Sequence, residues 1–349
     1  AAQRGFAGPS SAAAAGPAAA RVAEAAEAWG AQPTRLRITN GCQREPVWIA
    51  HMASQELDPQ NVKLAPGEGH DFTVVDKLSS TRYWPKFGCS ESGNQCAIGD
   101  SGGPGQVCDA QAGCAPPVDT KLEGSFGRRG VPCNTSADEY EGCDYLDVSL
   151  VDGYTVPFRL VIKGDCQKNF SEPADVAAVR RTIDCSTLAV SDCPTSEDLG
   201  AVGAGVDLRI AHPATHREAG CYSPCAKLTY ANWGNSMANG RSPQQPGVHP
   251  YCCPTPPETV HSCRTGPANR TSYVLAMHSI CPDVYAYAYD DRLGLHHCPA
   301  GTQYEMVFFC PTTSATPRSA PAPPPTPPPA PPPPPPSPAP RPPPARPPA

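Results

Sequence analysis

From Leu36 onward, apolar and polar residues alternate with a period of two. Leu36 and Ile38 are set off by Arg37 and Thr39, which predicts a strand with one buried face. A turn signal at Asn40-Gly41 follows, and Val47-Trp48-Ile49-Ala50 predicts the next strand. Similar runs predict strands over 71–75, 144–151, 154–162 and 304–309, separated by Gly- and Pro-bearing turns. Within 144–151, Leu146, Val148 and Leu150 share one face, so Asp147 and Ser149 point the other way. Many short strands with turn punctuation predict a sandwich or barrel.

Three stretches break the alternation. Residues 1–33 are rich in Ala, Gly and Ser, with good helix formers over 18–29, and read as an N-terminal extension. Residues 165–298 are crowded with cysteine and hold one predicted helix, over 172–181; their order must come from bridges as much as from a core. Almost half of the 47 prolines lie after Phe309. Residues 314–349 have polyproline II composition, with no large apolar side chain to bury, and read as a spacer or wall-associated stalk. The expected organisation is therefore an extension over 1–33, a globular domain over 34–313 that contains the region 165–298, and an unfolded tail over 314–349. The expected fold class is mainly β: an antiparallel β-sandwich core, a disulfide-rich and partly helical second region, and small disulfide loops.

The 18 cysteines form an even set, spread from Cys42 to Cys310, and read as nine bridges made in an oxidising compartment. Zinc is the competing reading at Cys221, Cys225, Cys252 and Cys253, but most cysteines stand alone rather than in paired knuckles, so no metal and no cofactor are expected. Sequons at Asn134, Asn169 and Asn269 agree with secretion. No apolar run of about 18 residues is present, so no membrane span is expected. The net charge is −6 and the tail carries Arg318, Arg341 and Arg346 without an acid, leaving the rest near −9. That balance argues against nucleic acid as a partner and suits a neutral polyol ligand.

Several segments together resemble thaumatin-like proteins. They are Asn40-Gly41-Cys42, Tyr83-Trp84, Gly93-Asn94-Gln95-Cys96, Gly99-Asp100, the run from Asp147 to Tyr154, Tyr251-Cys252-Cys253, the run from Cys281 to Asp291, and Phe309-Cys310-Pro311. The likeness covers about residues 35–311 and keeps the same order throughout. It implies bridges Cys42–Cys310, Cys89–Cys96, Cys166–Cys298, Cys185–Cys281, Cys193–Cys221, Cys225–Cys252 and Cys253–Cys263. Ser101 stands where the family has a cysteine, so Cys108 is expected to pair with Cys114, six residues on. Cys133 and Cys143 are left to close a local loop. The Cys42–Cys310 bridge spans nearly the whole domain, where chain-entropy reasoning gives its largest effect, on the order of 4 to 5 kcal/mol.

The resemblance also implies an acidic cleft of one basic residue and four carboxylates, here Lys86, Glu123, Asp147, Asp152 and Asp290, with Ser125 as the alternative to Glu123. A lysine in the basic position implies a looser clamp than an arginine would give. Both Asp147 and Asp152 can meet one groove, because Asp152-Gly153 is a turn signal. The implied partner is a cell-wall polysaccharide, β-1,3-glucan above all, bound by a secreted monomeric defence protein of the extracellular space or cell wall. Two alternatives share that cleft or leave it idle: a weak endo-β-1,3-glucanase with Glu123 and Asp147 as catalytic candidates, or a structural wall protein. Tyr285, Tyr287 and Tyr289 alternate as either a sugar platform or a packed face. Ser101-Gly102-Gly103 after Asp100 has the look of a protease nucleophile segment, but no histidine and aspartate environment accompanies it.

Overall fold

The computed structural model describes residues 34–135, 141–164, 166 and 182–311. The helices predicted over 18–29 and 172–181, the tail over 314–349 and the sequon Asn169 lie outside them.

Among the described residues fourteen strands follow in chain order: β1 (Leu36–Asn40), β2 (Val47–Met52), β3 (Val62–Leu64), β4 (Gly69–Phe72), β5 (Thr81–Lys86), β6 (Lys121–Ser125) and β7 (Cys143–Ser149). Then come β8 (Gly153–Tyr154), β9 (Phe158–Lys163), β10 (Thr182–Cys185), β11 (Arg209–Ala211), β12 (Glu218–Tyr222), β13 (His296–Pro299) and β14 (Gln303–Phe308). A five-stranded sheet runs β10-β9-β14-β1-β4 and a six-stranded sheet runs β13-β7-β6-β5-β2-β3. Their inner faces share one core: Leu36, Ile38, Leu160 and Met306 from the first sheet join Ile49, Tyr83, Leu122 and Val148 from the second. This is the expected sandwich, with one departure from antiparallel order, because β1 and β14 pair in parallel.

The predicted strand over 144–151 ends early, at Ser149, and the one over 154–162 is divided between β8 and β9. Asp152 lies in a turn, and Gly153 adopts φ +136 where a Cβ would meet the Cys221 carbonyl oxygen at 2.1 Å. Only glycine allows that approach. It lets β8 leave the sandwich and pair with β12 in a small third sheet, order β11-β12-β8.

Short helices fill the second region: α1 (Pro224–Thr229), α2 (His249–Cys252), α3 (Val260–Thr265), α4 (Ser272–Ile280) and α5 (Asp291–Gly294). The longest, α4, is capped by the Thr271 side chain, and the buried Glu197 carboxylate accepts from the amides of Ser272 at 3.0 Å and Tyr273 at 2.8 Å. The Tyr273 hydroxyl then donates to the Leu150 carbonyl at 2.6 Å, fixing this helix to the end of β7. The cysteines form nine bridges and none is free. Seven are the pairs implied by the resemblance; the other two are Cys108–Cys114 and Cys133–Cys143. Cys221, Cys225, Cys252 and Cys253 are thereby committed to sulfur, with no thiolate left for zinc.

Candidate functional site

Strand parity builds a polar row on the outer face of the six-stranded sheet. In β7, Leu146 and Val148 enter the core and Asp147, between them, faces out. In β6, Leu122 enters the core, so Lys121 and Glu123 share the outer face. The register places Arg82 opposite Glu123 and Glu123 opposite Asp147. Directly opposed side chains have Cβ atoms about 4.5 to 5.5 Å apart. Arg82 Nε lies 2.5 Å from Glu123 Oε1.

Asp152 reaches the same face from its turn. Its carboxylate is held by the Lys121 ammonium and accepts from the Tyr230 hydroxyl at 2.8 Å. Tyr230 sits just past α1, so the second region supplies one wall and the sandwich the other. A cation from β5 and another from β6 thus hold Glu123 and Asp152, while Asp147 has no ion pair or hydrogen bond among the described residues.

The electrostatics follow from that division. Burial, and then the neighbouring Glu123 charge, raise the Asp147 carboxyl well above the usual range, against opposing pulls from Lys121 and Arg82. Burial lowers the Lys121 ammonium, but Asp152 and Glu123 more than offset it and leave its pKa raised. The groove therefore presents two anchored carboxylates and one that favours its proton. Such a set can accept from and donate to hydroxyl groups at once.

The structure brings Glu123, Asp147 and Asp152 together and leaves Lys86 and Asp290 elsewhere. Lys86 shares the outer face of β5 with Arg82, but it is 0% exposed, beneath the loop that follows Gly99. Its ammonium bonds to Gln106 and to Asn61 at 3.4 Å, with Asp100 at 3.7 Å. Burial disfavours both charges, lowering Lys86 and raising Asp100. The basic residues beside the carboxylates are thus Arg82 and Lys121, not Lys86. Asp290 is also buried: it accepts from the Ala286 amide at 3.0 Å and meets His278 Nε2 at 2.7 Å. Its neighbour Asp291 is the one whose charge reaches Asp147, and it accepts from the Tyr285 hydroxyl at 2.6 Å while paired to Arg264 at 2.9 Å. Of the two alternatives for the glutamate position, Glu123 lies opposite Asp147, whereas Ser125 lies opposite Tyr145 and accepts from the Ser80 amide at 3.3 Å.

Sequence reasoning missed Arg82, Lys121, Tyr230 and Asp291. Period-two parity puts Arg82 and Lys86 on the same face, and nothing local says which one a distant loop covers. The tyrosine run gives no open platform: Tyr287 is buried, the Tyr285 hydroxyl is tied to Asp291, and the Tyr289 hydroxyl is tied to Thr255 at 2.6 Å. Asn134 is exposed, whereas the Asn269 amide donates to the Arg264 carbonyl at 2.8 Å. Among the described residues no group of His, Cys, Asp and Glu is placed to hold a metal ion, and no helix is long and apolar enough to cross a membrane.

Residues 40–311 match the profile of the Thaumatin family. A glucan endo-1,3-beta-glucosidase of Prunus avium is 29% identical over 81% of this chain and 92% of its own length. The thaumatin-like protein 2 of Prunus persica is 25% identical over the same shares. A pathogenesis-related thaumatin-like protein 3.5 of Cryptomeria japonica is 28% identical over 80% of this chain and 91% of its own.

Proposed function

The chain belongs to the thaumatin family, and from that premise we propose that it is a secreted defence or cell-wall protein that binds β-1,3-glucan, or a related wall polysaccharide, in the groove over Arg82, Glu123, Asp147 and Asp152. The observation that carries this reading is the cross-strand row Arg82–Glu123–Asp147, continued by Lys121–Asp152–Tyr230. Glucan chains are neutral and dense in hydroxyls. A groove in which Glu123 and Asp152 are already paired to cations can bond to them without leaving either charge uncompensated. Nine bridges suit an oxidising, extracellular setting and hold the two walls of the groove in place.

Hydrolysis is the second reading, and the asymmetry of the carboxylates favours it over mere solvation. Glu123, anchored by Arg82, fits the nucleophile or base, and Asp147, which favours its proton, fits the acid. The Prunus avium relative carries a glucosidase name, at 29% identity. Retention on insoluble β-1,3-glucan and reducing-sugar release from laminarin separate the two readings. The expected result is retention without release. Steady release that Glu123→Gln abolishes, with binding intact, makes the protein a hydrolase.

A further inference from the structure

Beside the carboxylate row, the loop after Gly99 arches over the outer face of β2, β5 and β6 and leaves a pocket of about 190 Å³. Its lining includes Met52, Trp84, Asp119 and the Ser101–Gly103 segment, and it shares Arg82 and Lys121 with the groove. The loop does not collapse onto the sheet, for two reasons. The Cys108–Cys114 bridge lies beside Gly102, where a Cβ would stand 3.3 Å from Cys114 Sγ, and so props the segment from behind. Gly103, at φ +115, has no side chain to fill the space; a Cβ there would meet only the edge of the Trp84 ring, at 3.8 Å.

One polar group is built into the wall. Asp119 is 3% exposed, and the Ser101 hydroxyl donates to its Oδ2 at 2.5 Å. Among the described residues Ser101 is the only side chain bonded to it. Burial, partly countered by Ser101, moves its pKa up to about 6. An apolar floor with a few fixed polar groups is the usual form of a small-ligand site. The pyranose ring has matching chemistry, with a C–H face for Trp84 and Met52 and hydroxyls for Asp119 and Arg82. A larger cleft, about 520 Å³ around Trp48, offers no such ring face, since Lys63 lies over Trp48 at 5.0 Å and Gly93 is pressed against the same ring system.

We propose that this pocket is an end subsite of the groove, taking one sugar residue of a β-glucan whose neighbouring residues lie over Glu123 and Asp147. The inference rests on the glucan-binding reading and adds to it a place where the bound chain ends. Arg82 is the hinge between the two parts, because its guanidinium lines the pocket and holds Glu123.

The test is calorimetric titration of the full chain with β-1,3-gluco-oligosaccharides of graded length. The wild type should gain affinity in a step of about tenfold once the oligomer is long enough to reach the pocket. Asp119→Ala removes the polar wall and Met52→Phe fills the space from the opposite side. Each should erase the step while leaving the affinity for the shortest bound oligomer unchanged, and either one suffices if the other fails to fold. A step that persists in a folded variant, or short and long oligomers binding equally to the wild type, overturns the subsite and leaves the glucan reading intact. Failure of the wild type to bind any oligomer overturns both.

Discussion

Glu123 and Asp147 stand directly opposite each other on β6 and β7, yet the Arg82 guanidinium touches only Glu123, at 2.5 Å. Asp147 is left half-buried beside a like charge. An aspartate in the unfolded chain titrates near 3.9, and in the fold Asp147 titrates higher. From about pH 4 upward, through the folded pKa, the native state then binds more protons than the unfolded state, so this group makes stability fall as pH rises. Asp147→Asn should raise the melting temperature at pH 7 more than at about pH 4, flattening the decline. Thermal unfolding followed by circular dichroism at both pH values checks it; a lower melting temperature at pH 7 would count against the assignment.

The same asymmetry ranks the carboxylates for binding. Because burial and the Glu123 charge already disfavour the Asp147 charge, removing it costs little, and Asp147→Asn should weaken oligosaccharide binding by no more than about 0.5 kcal/mol. Glu123→Gln breaks the Arg82 ion pair and should cost about 1 to 2 kcal/mol. Calorimetric affinities in the reverse order would show that Asp147 is the anchored group.

Arg82 and Lys86 should fail in different ways. Arg82→Gln, at a half-exposed position, should weaken binding about tenfold and leave the melting temperature within a few degrees of wild type. Lys86→Met leaves the 1%-exposed Asp100 without its cation, and losing one partner of a buried pair costs about 3 to 5 kcal/mol. It should lower the melting temperature sharply, with any change in affinity secondary. Calorimetry of both variants, by scanning and by titration, gives the comparison.

The bridges predict an order of damage as well. Thiol labelling of the denatured, unreduced protein should find no free cysteine. Replacing Cys42 and Cys310 with serine opens a loop of 268 residues; replacing Cys108 and Cys114 opens one of 6. Chain entropy sets these losses at on the order of 5 and 2 kcal/mol. Denaturant midpoints of the two double variants should fall in that order, and equal midpoints would place the stabilisation in local strain relief instead.

Strands with an unbroken apolar alternation were legible from the pattern alone: β1, β2, β9 and β14 each carry buried apolar residues at nearly every second position or more, and β7 does so from Leu146 onward. β6 was not, because Lys121, Glu123, Gly124 and Ser125 surround a single core residue, Leu122, and its place in the sheet is decided by its neighbours. β13 opens with two histidines and pairs with β7 for the same non-local reason. The groove divides along the same line. Asp147 and Asp152 could be read from parity and a turn, since both signals are local. Arg82 could not be separated from Lys86, because the difference is a loop closing over one of them from some twenty residues downstream. Nor could Asp291 be told from Asp290 without knowing that α5 begins between them.

The parallel pairing of β1 with β14 has a mechanical consequence. Parallel strands start at the same end, so the chain enters the sandwich at Leu36, beside Tyr304, and leaves it at Phe308, beside Asn40. A pull on the two ends of the domain therefore loads this strand pair in shear, along the strands and across the hydrogen bonds between them. Cys42 and Cys310 lie just beyond the strands and join them covalently, which puts the bridge in the line of force. Tension passes from one end to the other through two sulfur atoms, and the chain between them carries none of it. Under load the domain would behave as a rivet, with a contour length that grows only after that one bridge is reduced.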